Sequence, residues 1–275
     1  MKITHFDDLP VATASYLNAK PASQSTVAGL RGVERTFLPI TLGRVTGLPA
    51  TLQGLVVASD LQGKVKNPRS RQFALLGEVL PEILRRVIEV ELGGNPLKFG
   101  VLLAGDLFAL LEKRGGLGDV IPVWEAFRGE FRWVAGVAGN HDQFGHSPEE
   151  NRQFRQRSQC HLLEGTSVTV DELRIGGVSG IIGRKGKPNR LPVDTYLQQL
   201  TNVLDEKPDI CLLHESPAVP EQRAPGKEEI REFLEMGPPT LAVCGHVPWK
   251  TPLLELPNGT QVLNSDARAF ILLPE

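Results

Sequence analysis

Five apolar runs of the chain each end in a polar residue that can bind a metal ion. The runs are continuous rather than alternating, which is typical of strands buried on both faces of a sheet. They read "GLVVASD", "VLLAGD", "VAGVAGN", "ICLLH" and "LAVCGH", and they end at Asp60, Asp106, Asn140, His214 and His246. Packing alone does not explain this recurrence, so the pattern indicates chemistry at the strand ends.

Stretches with helical periodicity separate these runs. Apolar residues three and four positions apart predict a helix over 71–92, which includes Phe73 and is kinked at Pro81. Ser147, followed by a proline and two glutamates, is a typical N-terminal cap of a second helix. The remaining predicted helices cover 120–129, 192–206 and 227–236.

The order of these elements predicts an α/β fold. Strand and helix alternate through the middle of the chain, and hairpins follow around Asp171 and in the tail after residue 251. This order favours a four-layer α/β/β/α sandwich, in which helices flank two mixed sheets. No repeat or linker interrupts residues 51–275, which we predict to form one domain. Residues 1–50 are predicted to be an N-terminal extension or an edge strand, over 35–45, packed on this core.

The composition excludes several classes of protein. The chain has 275 residues, and its formal net charge of −2 gives no long-range attraction to nucleic acid. Its three cysteines lack disulfide or zinc-finger spacing, which favours a reducing compartment. No apolar segment has the length of a membrane span or the pattern of a signal peptide. We therefore expect a cytoplasmic protein with no membrane partner.

The polar residues at the strand ends have the chemistry of metal ligands. Loops that follow parallel strands converge at one edge of a sheet, so these residues are expected to meet. Carboxylates, an amide oxygen and neutral imidazoles together suit Mn, Fe, Zn or Co. Taken singly, Asp60 suits a turn, Asn140 a left-handed position and His214 a core. Their joint occurrence favours a metal site.

The order of the motifs resembles that of the calcineurin-like metallophosphoesterases. That family has D-x-H, G-D, G-N-H-D/E, a lone histidine and G-H-x-H; this chain has "SDLQ", "GD", "GNHD", "LLHE" and "GHVP" within residues 55–270. The resemblance implies that Asp106 bridges two metal ions and that Asp60 binds one of them. The residues that would complete the site of the other ion are Asn140, His214 and His246.

The resemblance also implies roles for two residues that bind no metal. His141 would lie near the scissile phosphate as a proton donor or transition-state stabiliser. Asp142 would orient the imidazole of His141, as carboxylates beside a metal centre commonly do.

Two positions depart from the family pattern. Gln62 replaces the histidine of D-x-H, and Pro248 replaces the second histidine of G-H-x-H. Both positions belong to the metal site of Asp60. The resemblance thus implies one complete site and one weakened site, at which Gln62 offers an amide oxygen suited to Mn or Mg. We expect one or two divalent ions, with Mn favoured over Fe, Zn, Co and Mg.

These observations predict a metal-dependent phosphoesterase that hydrolyses a small, nucleotide-like phosphate ester or phosphodiester by a metal-activated water. The residues after Asp106, "LFALLEK", differ from the D-R-G of protein serine/threonine phosphatases and favour a small phosphorylated substrate. One alternative is a catalytically weakened or inactive regulatory protein that binds metal and phosphate, because two ligand positions are changed. A weaker alternative is a nuclease, since residues 64–72 and 183–190 are basic. Aromatic residues for stacking on bases are not interleaved with either stretch.

Overall fold

The structure is a computed structural model that describes residues 1–19, 32–66, 72–113, 115–184 and 186–275. Its strands, β1 to β20 in chain order, span Lys2–Phe6, Ala12–Ala19, Val33–Thr46, Gly54–Ser59, Lys64–Lys66, Phe73–Leu75, Phe99–Leu103, Gly118–Asp119, Trp133–Gly136, Asp142–Gln143, Cys160–Leu162, Thr166–Val170, Leu173–Val178, Ile181–Ile182, Arg190–Leu191, Ile210–Leu213, Leu241–Cys244, Leu253–Glu255, Gln261–Asn264 and Arg268–Pro274. Its helices, α1 to α5, span Leu76–Arg86, Ile121–Glu130, Pro148–Arg155, Val193–Asp205 and Glu228–Met236. Within these described residues, no helix is both long enough and apolar enough to cross a bilayer.

Two large sheets form the centre of the fold. The first has the strand order β11-β9-β7-β4-β20-β3-β2-β5-β6, with β1 also paired to β3. The second has the order β12-β13-β16-β17-β19-β18. Both sheets contain parallel and antiparallel pairs, so the prediction of two mixed sheets is confirmed.

Three apolar clusters arrange the sheets and helices in four layers. In β4, Val56 packs against α1 and α2, whereas Leu55 faces the second sheet. In β16, Leu212 faces the first sheet, whereas Leu213 packs against α4 and α5. Because side chains alternate across a strand, a continuous apolar run fills both faces. The predicted α/β/β/α sandwich is therefore confirmed.

The N-terminal segment contributes interior strands to the first sheet. β3 pairs with β2 through residues 33–40 and with β20 through residues 40–45. The predicted position of the 35–45 strand at a sheet edge is therefore wrong. The reason is its apolar alternation, which buries Leu38 and Ile40 under the helices and Val45 between the sheets. The separation of residues 1–50 from the rest of the chain as a unit stays a prediction.

The helix predicted over 71–92 begins later than expected. Phe73 lies in β6 and is 43% exposed, so it is not part of the apolar face of α1. Pro81 is buried within α1, and the chain then forms a π-helical turn over Val87–Glu91. The predicted cap is confirmed, because Ser147 accepts the amide of Glu150 at 3.2 Å.

Candidate metal centre

The carboxyl ends of parallel strands bring the predicted ligands together. β4, β7 and β9 are parallel neighbours in the first sheet and are followed by Asp60, Asp106 and Asn140. β16 and β17 are parallel neighbours in the second sheet and are followed by His214 and His246. These loops converge at one edge of the sandwich, as ligand-binding loops of α/β sheets do.

Asp106, His214 and His246 form a compact group at this edge. One potential ligand atom from each residue lies within 4.8 Å of the other two. The two imidazole rings have centroids 5.0 Å apart, and Nε2 of His214 is 3.4 Å from Oδ2 of Asp106. The structure thus brings together three residues that the sequence assigned to one metal ion.

Two buried polar atoms at these strand ends lack a hydrogen-bond partner within the part of the chain that the structure describes. They are Oδ1 of Asn140 and Nε2 of His214, and their residues are 4% and 0% exposed. Such an unsatisfied atom costs about 1–3 kcal/mol. An amide oxygen and an imidazole nitrogen are both suitable metal ligands, so a divalent ion would offset this cost. The donor set of Asp106, Asn140, His214 and His246 therefore fits a divalent metal.

The hydrogen bond of His214 determines which ring nitrogen faces the ion. Nδ1 lies 2.8 Å from the carbonyl oxygen of Ala104 and donates to it, so Nε2 is left as the ligand atom. Burial lowers the pKa of His214, but the charges of Asp106 and Asp60, together with the polar contacts of the ring to Asp106 and Ala104, outweigh burial and raise this pKa to about 10. The metal-free protein thus holds a proton on His214 that a metal ion would displace.

His246 is neutral at physiological pH and lies beside a buried carboxylate. Burial and the positive charge of His214 lower the pKa of His246 to about 4. Nε2 of His246 is 3.8 Å from Oε1 of Glu215, whose Oε2 accepts the amide of Ile182 at 3.0 Å. Glu215 was not among the predicted site residues, although it directly follows a predicted ligand in the sequence. Its position suits a carboxylate that orients a metal-binding imidazole.

Gln62, a predicted metal ligand, makes a hydrogen bond to Asp106. Nε2 of Gln62 donates to Oδ2 of Asp106 at 2.9 Å, and the amide of His141 donates to Oδ1 at 2.9 Å. Gln62 therefore presents an amide nitrogen, which binds no metal, where we predicted an amide oxygen. Burial raises the pKa of Asp106, but the charges and polar contacts of His214 and His141 together outweigh burial and lower this pKa overall. The ionised carboxylate thus accepts the donor end of the glutamine amide, and a metal contact of Gln62 stays a prediction.

Asp60 lies at the same edge but supports the loop of His246. Its Oδ2 accepts the amide of His246 at 3.0 Å, and its own amide donates to the carbonyl oxygen of Gly105 at 2.9 Å. Burial raises the pKa of Asp60 well above its usual value. Pro248 borders the cleft and has no side-chain ligand atom. In the half of the centre that contains Asp60 and Gln62, both side chains thus make hydrogen bonds within the protein.

Asp142 contacts backbone rather than an imidazole. Its Oδ2 accepts the amides of Asp106 and Gly139 at 2.8 Å each, and its Oδ1 accepts the amide of Leu107 at 2.7 Å. The carboxylate therefore joins the "GD" and "GNHD" loops and does not orient the His141 ring as predicted. Buried amides at the start of these loops need an acceptor, and Asp142 supplies it. Burial raises the pKa of Asp142 to about 6.

Asn189 is a second support of the "GNHD" loop. It was not among the predicted site residues. Its Nδ2 donates to the carbonyl oxygens of Gly139 and Asp142 at 2.7 Å each. Asn189 thereby spans the turn that carries Asn140 and His141. Both ends of this turn are held by one side chain.

The two basic stretches are described only in part. Residues 67–71 of the first stretch and Lys185 of the second lie outside the described residues. The pKa of His246 is lowered mainly by burial and the charge of His214, and Arg190 adds to this effect. Arg190 is therefore within electrostatic reach of the metal centre. A role of either stretch in binding phosphate stays a prediction.

Three residues of the centre have left-handed backbone conformations. The φ angles of Asp60, Asp106 and His246 are +52°, +54° and +69°. Such angles are uncommon outside glycine and cost of order 1–3 kcal/mol each, and they cluster at functional sites. The close approach of the loops also requires a glycine, because a Cβ on Gly139 would lie 2.0 Å from Oδ1 of Asp106.

A cleft of about 570 Å³ opens at the metal centre. Nε2 of His141 is 3.9 Å from Oδ2 of Asp106, and the side chain is 23% exposed in this cleft. Gly115 packs against the ring, since a Cβ there would lie 2.9 Å from Cε1 of His141. Gly115 was not among the predicted site residues, because it precedes no apolar run or ligand motif. The part of the lining that comes from β2 and β3 consists of Tyr16, Asn18, Glu34 and Thr36.

The sequence profile described as "Calcineurin-like phosphoesterase" matches residues 55–250. This match covers more than half of the chain and includes every proposed metal ligand. The chain belongs to the calcineurin-like phosphoesterase family. The resemblance seen in the sequence motifs is therefore confirmed, and family membership supports a metal-dependent phosphoesterase in general. No curated protein matches the chain.

Solved structures are similar to the chain at low sequence identity. The protein TT1561 of Thermus thermophilus is 14% identical, with a TM-score of 0.55 over 78% of this chain and 90% of that chain. The protein of unknown function AQ665 from Aquifex aeolicus is 13% identical, with a TM-score of 0.35 over 79% and 95% of the two chains. A cold-active protein-tyrosine phosphatase of a psychrophilic Shewanella species is 13% identical, with a TM-score of 0.30 over 96% and 91%. Of these three, the first supports a shared fold, and none defines a substrate.

Proposed function

We propose that the chain hydrolyses a small phosphate ester or phosphodiester with one tightly bound divalent metal ion. The observation that carries this proposal is a pair of buried ligand atoms, Oδ1 of Asn140 and Nε2 of His214, that lack a hydrogen-bond partner among the described residues, while Nε2 faces the Asp106 carboxylate at 3.4 Å. They belong to the loops that surround Asp106 beside the open cleft. Family membership adds the reaction class.

The residues that would hold the ion are Asp106, Asn140, His214 and His246. When bound, a divalent ion acidifies water and offsets phosphate charge during an in-line displacement. Mn is the proposed ion, because a carboxylate and an amide oxygen accompany the two imidazoles. Gln62 supports a single tight site, since its amide already satisfies the oxygen of Asp106 on which a second ion would depend.

His141 is the proposed proton donor or transition-state stabiliser. Its backbone amide is fixed on Asp106, while its ring is partly exposed in the cleft. A histidine within hydrogen-bond reach of a substrate can donate a proton to the leaving group, which typically contributes 10²–10⁴-fold, roughly, to the rate. Gly115 lies against one side of the ring, where a side chain would clash with Cε1 of His141.

Turnover of bis(p-nitrophenyl) phosphate by metal-stripped and reloaded protein tests the proposal. We expect hydrolysis with Mn that is lost after chelation and restored by the metal. His141→Ala should lower kcat by about 100-fold or more at unchanged metal content, because only proton transfer is removed. His5→Ala removes an exposed histidine and serves as the matched control.

The outcomes separate the proposal from its two alternatives. Tight binding of phosphate or a nucleotide without turnover, across Mn, Zn, Co and Mg, would favour the regulatory protein. Cleavage of labelled single-stranded DNA or RNA, with affinity that falls steeply as salt rises, would favour the nuclease.

A further inference from the structure

One face of the β2–β3 pair changes from apolar to polar where it reaches the cleft. The two strands are antiparallel, with Tyr16 directly across from Thr36 and Asn18 across from Glu34. Residues two apart share a face, so these side chains continue the face on which Leu38 is buried under the helices. Beyond the helices, this face borders the cleft and forms what we call the polar wall, consisting of Asn18, Glu34 and Thr36.

Carboxylates dominate the described lining of the cleft. Asp60, Asp106, Glu34 and Asp266 border it, whereas the described lining residues include no lysine or arginine. The first two of these adjoin the metal centre. Glu34 therefore adds a carboxylate to the part of the cleft beyond the ion, whereas the charge of Asp266 also interacts with Arg268.

The cations of the neighbouring strands lie on the opposite face of the sheet. Arg35 and Lys64 both pair with Leu17, one from each side. Since successive residues alternate between faces, these three side chains point away from the polar wall. Among the described residues, Arg35 and Lys64 therefore do not balance the charge of Glu34.

Glu34 is available to a ligand. The structure gives its carboxylate no ion pair or hydrogen bond among the described residues, and the residue is half-buried. Oδ1 of Asn18 accepts the amide of Ala19 at 2.8 Å. The ring of Tyr16 borders the same wall, and an aromatic ring beside a carboxylate favours an ammonium group.

We propose that the polar wall binds a positively charged ester group, so that the substrate class is a phosphodiester with a cationic alcohol portion. This inference rests on the phosphoesterase activity proposed above and adds the substrate class to it. The metal centre would hold the phosphate, and Glu34 would bind the cation on the far side of the cleft. Oδ1 of Asn140 and Nε2 of His214, which lack a hydrogen-bond partner within the described residues, locate the metal end of this arrangement.

Two chromogenic diesters that release the same product test the inference. p-Nitrophenyl phosphorylcholine carries a quaternary ammonium group, whereas bis(p-nitrophenyl) phosphate carries a neutral aryl group in its place. We expect the wild type to prefer the choline ester in kcat/KM. Glu34→Gln should lower kcat/KM for the choline ester by about tenfold, chiefly through KM, because a charge pair in a half-buried cleft is lost. Its kcat/KM for the aryl ester should not change.

Glu232→Gln is the matched control, since it removes the same charge from an exposed position on α5. Retained turnover of the aryl ester shows that Glu34→Gln is folded and holds its metal. An equal effect of Glu34→Gln on both esters, or no effect on either, would overturn the inference and leave the proposed function intact. Failure of the wild type to hydrolyse either ester with any metal would overturn the proposed function and the inference with it.

Discussion

The two halves of the metal centre differ in how their polar atoms are satisfied. In the half of Asn140 and His214, two buried ligand atoms have no hydrogen-bond partner within the described residues. In the half of Asp60 and Gln62, the corresponding atoms make hydrogen bonds at 2.9 to 3.0 Å. Buried ligand atoms without a hydrogen bond are free to bind an ion, whereas atoms that already make hydrogen bonds must give them up to do so. The comparison therefore predicts unequal metal affinity at two adjacent positions.

Removing the residue that both halves share has the largest expected effect. Asp106→Asn takes away the charge that holds His214 and Gln62, so both metal binding and activity should fall. We expect a loss of more than about 100-fold in kcat/KM, beyond the upper range for residues that only support a ligand. Metal analysis and turnover measure it. Asp194→Asn, on the exposed side of α4, is the control, and full metal content in Asp106→Asn would contradict the assignment.

The metal affinity of the half that contains Asn140 and His214 should rise with pH. The pKa of His214 is raised to about 10, above its ordinary value of 6.5, so the metal-free protein holds a proton there below that pH. Each ion must displace this proton, and Kd should fall about tenfold per pH unit between pH 6 and 8. The same proton stabilises the metal-free fold below pH 6.5, and this stabilisation is lost as pH rises through 10.

Calorimetric titration with Mn in buffers of different ionisation enthalpy counts the released protons. An affinity that is flat with pH, with no proton release, would show that His214 is neutral before the metal binds. His161→Ala offers a control, because burial lowers the pKa of His161 and it lies outside the centre.

The support from Asn189 can be removed without changing side-chain shape. Asn189→Asp replaces an amide donor by a carboxylate oxygen opposite the carbonyls of Gly139 and Asp142, which should displace the "GNHD" turn. We expect kcat or metal affinity to fall about 10–100-fold, the range for residues behind metal ligands. Asn202→Asp, at an exposed position of α4, is the control. Loss of thermal stability alone, with unchanged kcat and metal affinity, would contradict a positioning role.

Restoring imidazoles to the altered half should change metal stoichiometry, the smallest of the four effects. Gln62→His combined with Pro248→His replaces an amide donor and a proline by two ligands beside Asp60 and Asp106. The metal content should rise from about one to about two ions per chain. Anomalous scattering would locate each ion. Two equally occupied ions in the unchanged protein would remove the difference between the halves.

The ligands were predictable because their signal is local. Each follows an apolar run, and parallel strands must end at a common edge. The contacts among them were not predictable in the same way. Gln62 and Asp106 are 44 residues apart, and only their meeting in space shows which end of the amide faces the carboxylate. The predicted contact of Asp142 with an imidazole failed for the same reason, because its actual partners are distant in the sequence. One of these partners is the backbone amide of Leu107, which is 35 residues away.

The start of α1 likewise could not be predicted from the sequence. The spacing of Phe73, Leu76 and Leu80 continues helical periodicity across a strand, so it carries no signal for the helix start. That signal is a contact, in which the amide of Leu75 donates to Oε2 of Glu78 at 2.6 Å. Leucine is not a usual N-cap residue, so the start of α1 could not be predicted from the residue type at position 75.

The polar wall and the metal centre come from separate parts of the gene. β2 and β3 end at residue 46, whereas the family profile starts at residue 55. If the polar wall binds the alcohol group as proposed, selection can alter which group is accepted without changing any codon for a proposed ligand. We expect that an exchange of residues 12–46 between related chains, with the pairing of β2 and β3 kept, transfers the substrate preference. The residues proposed for hydrolysis would remain unchanged.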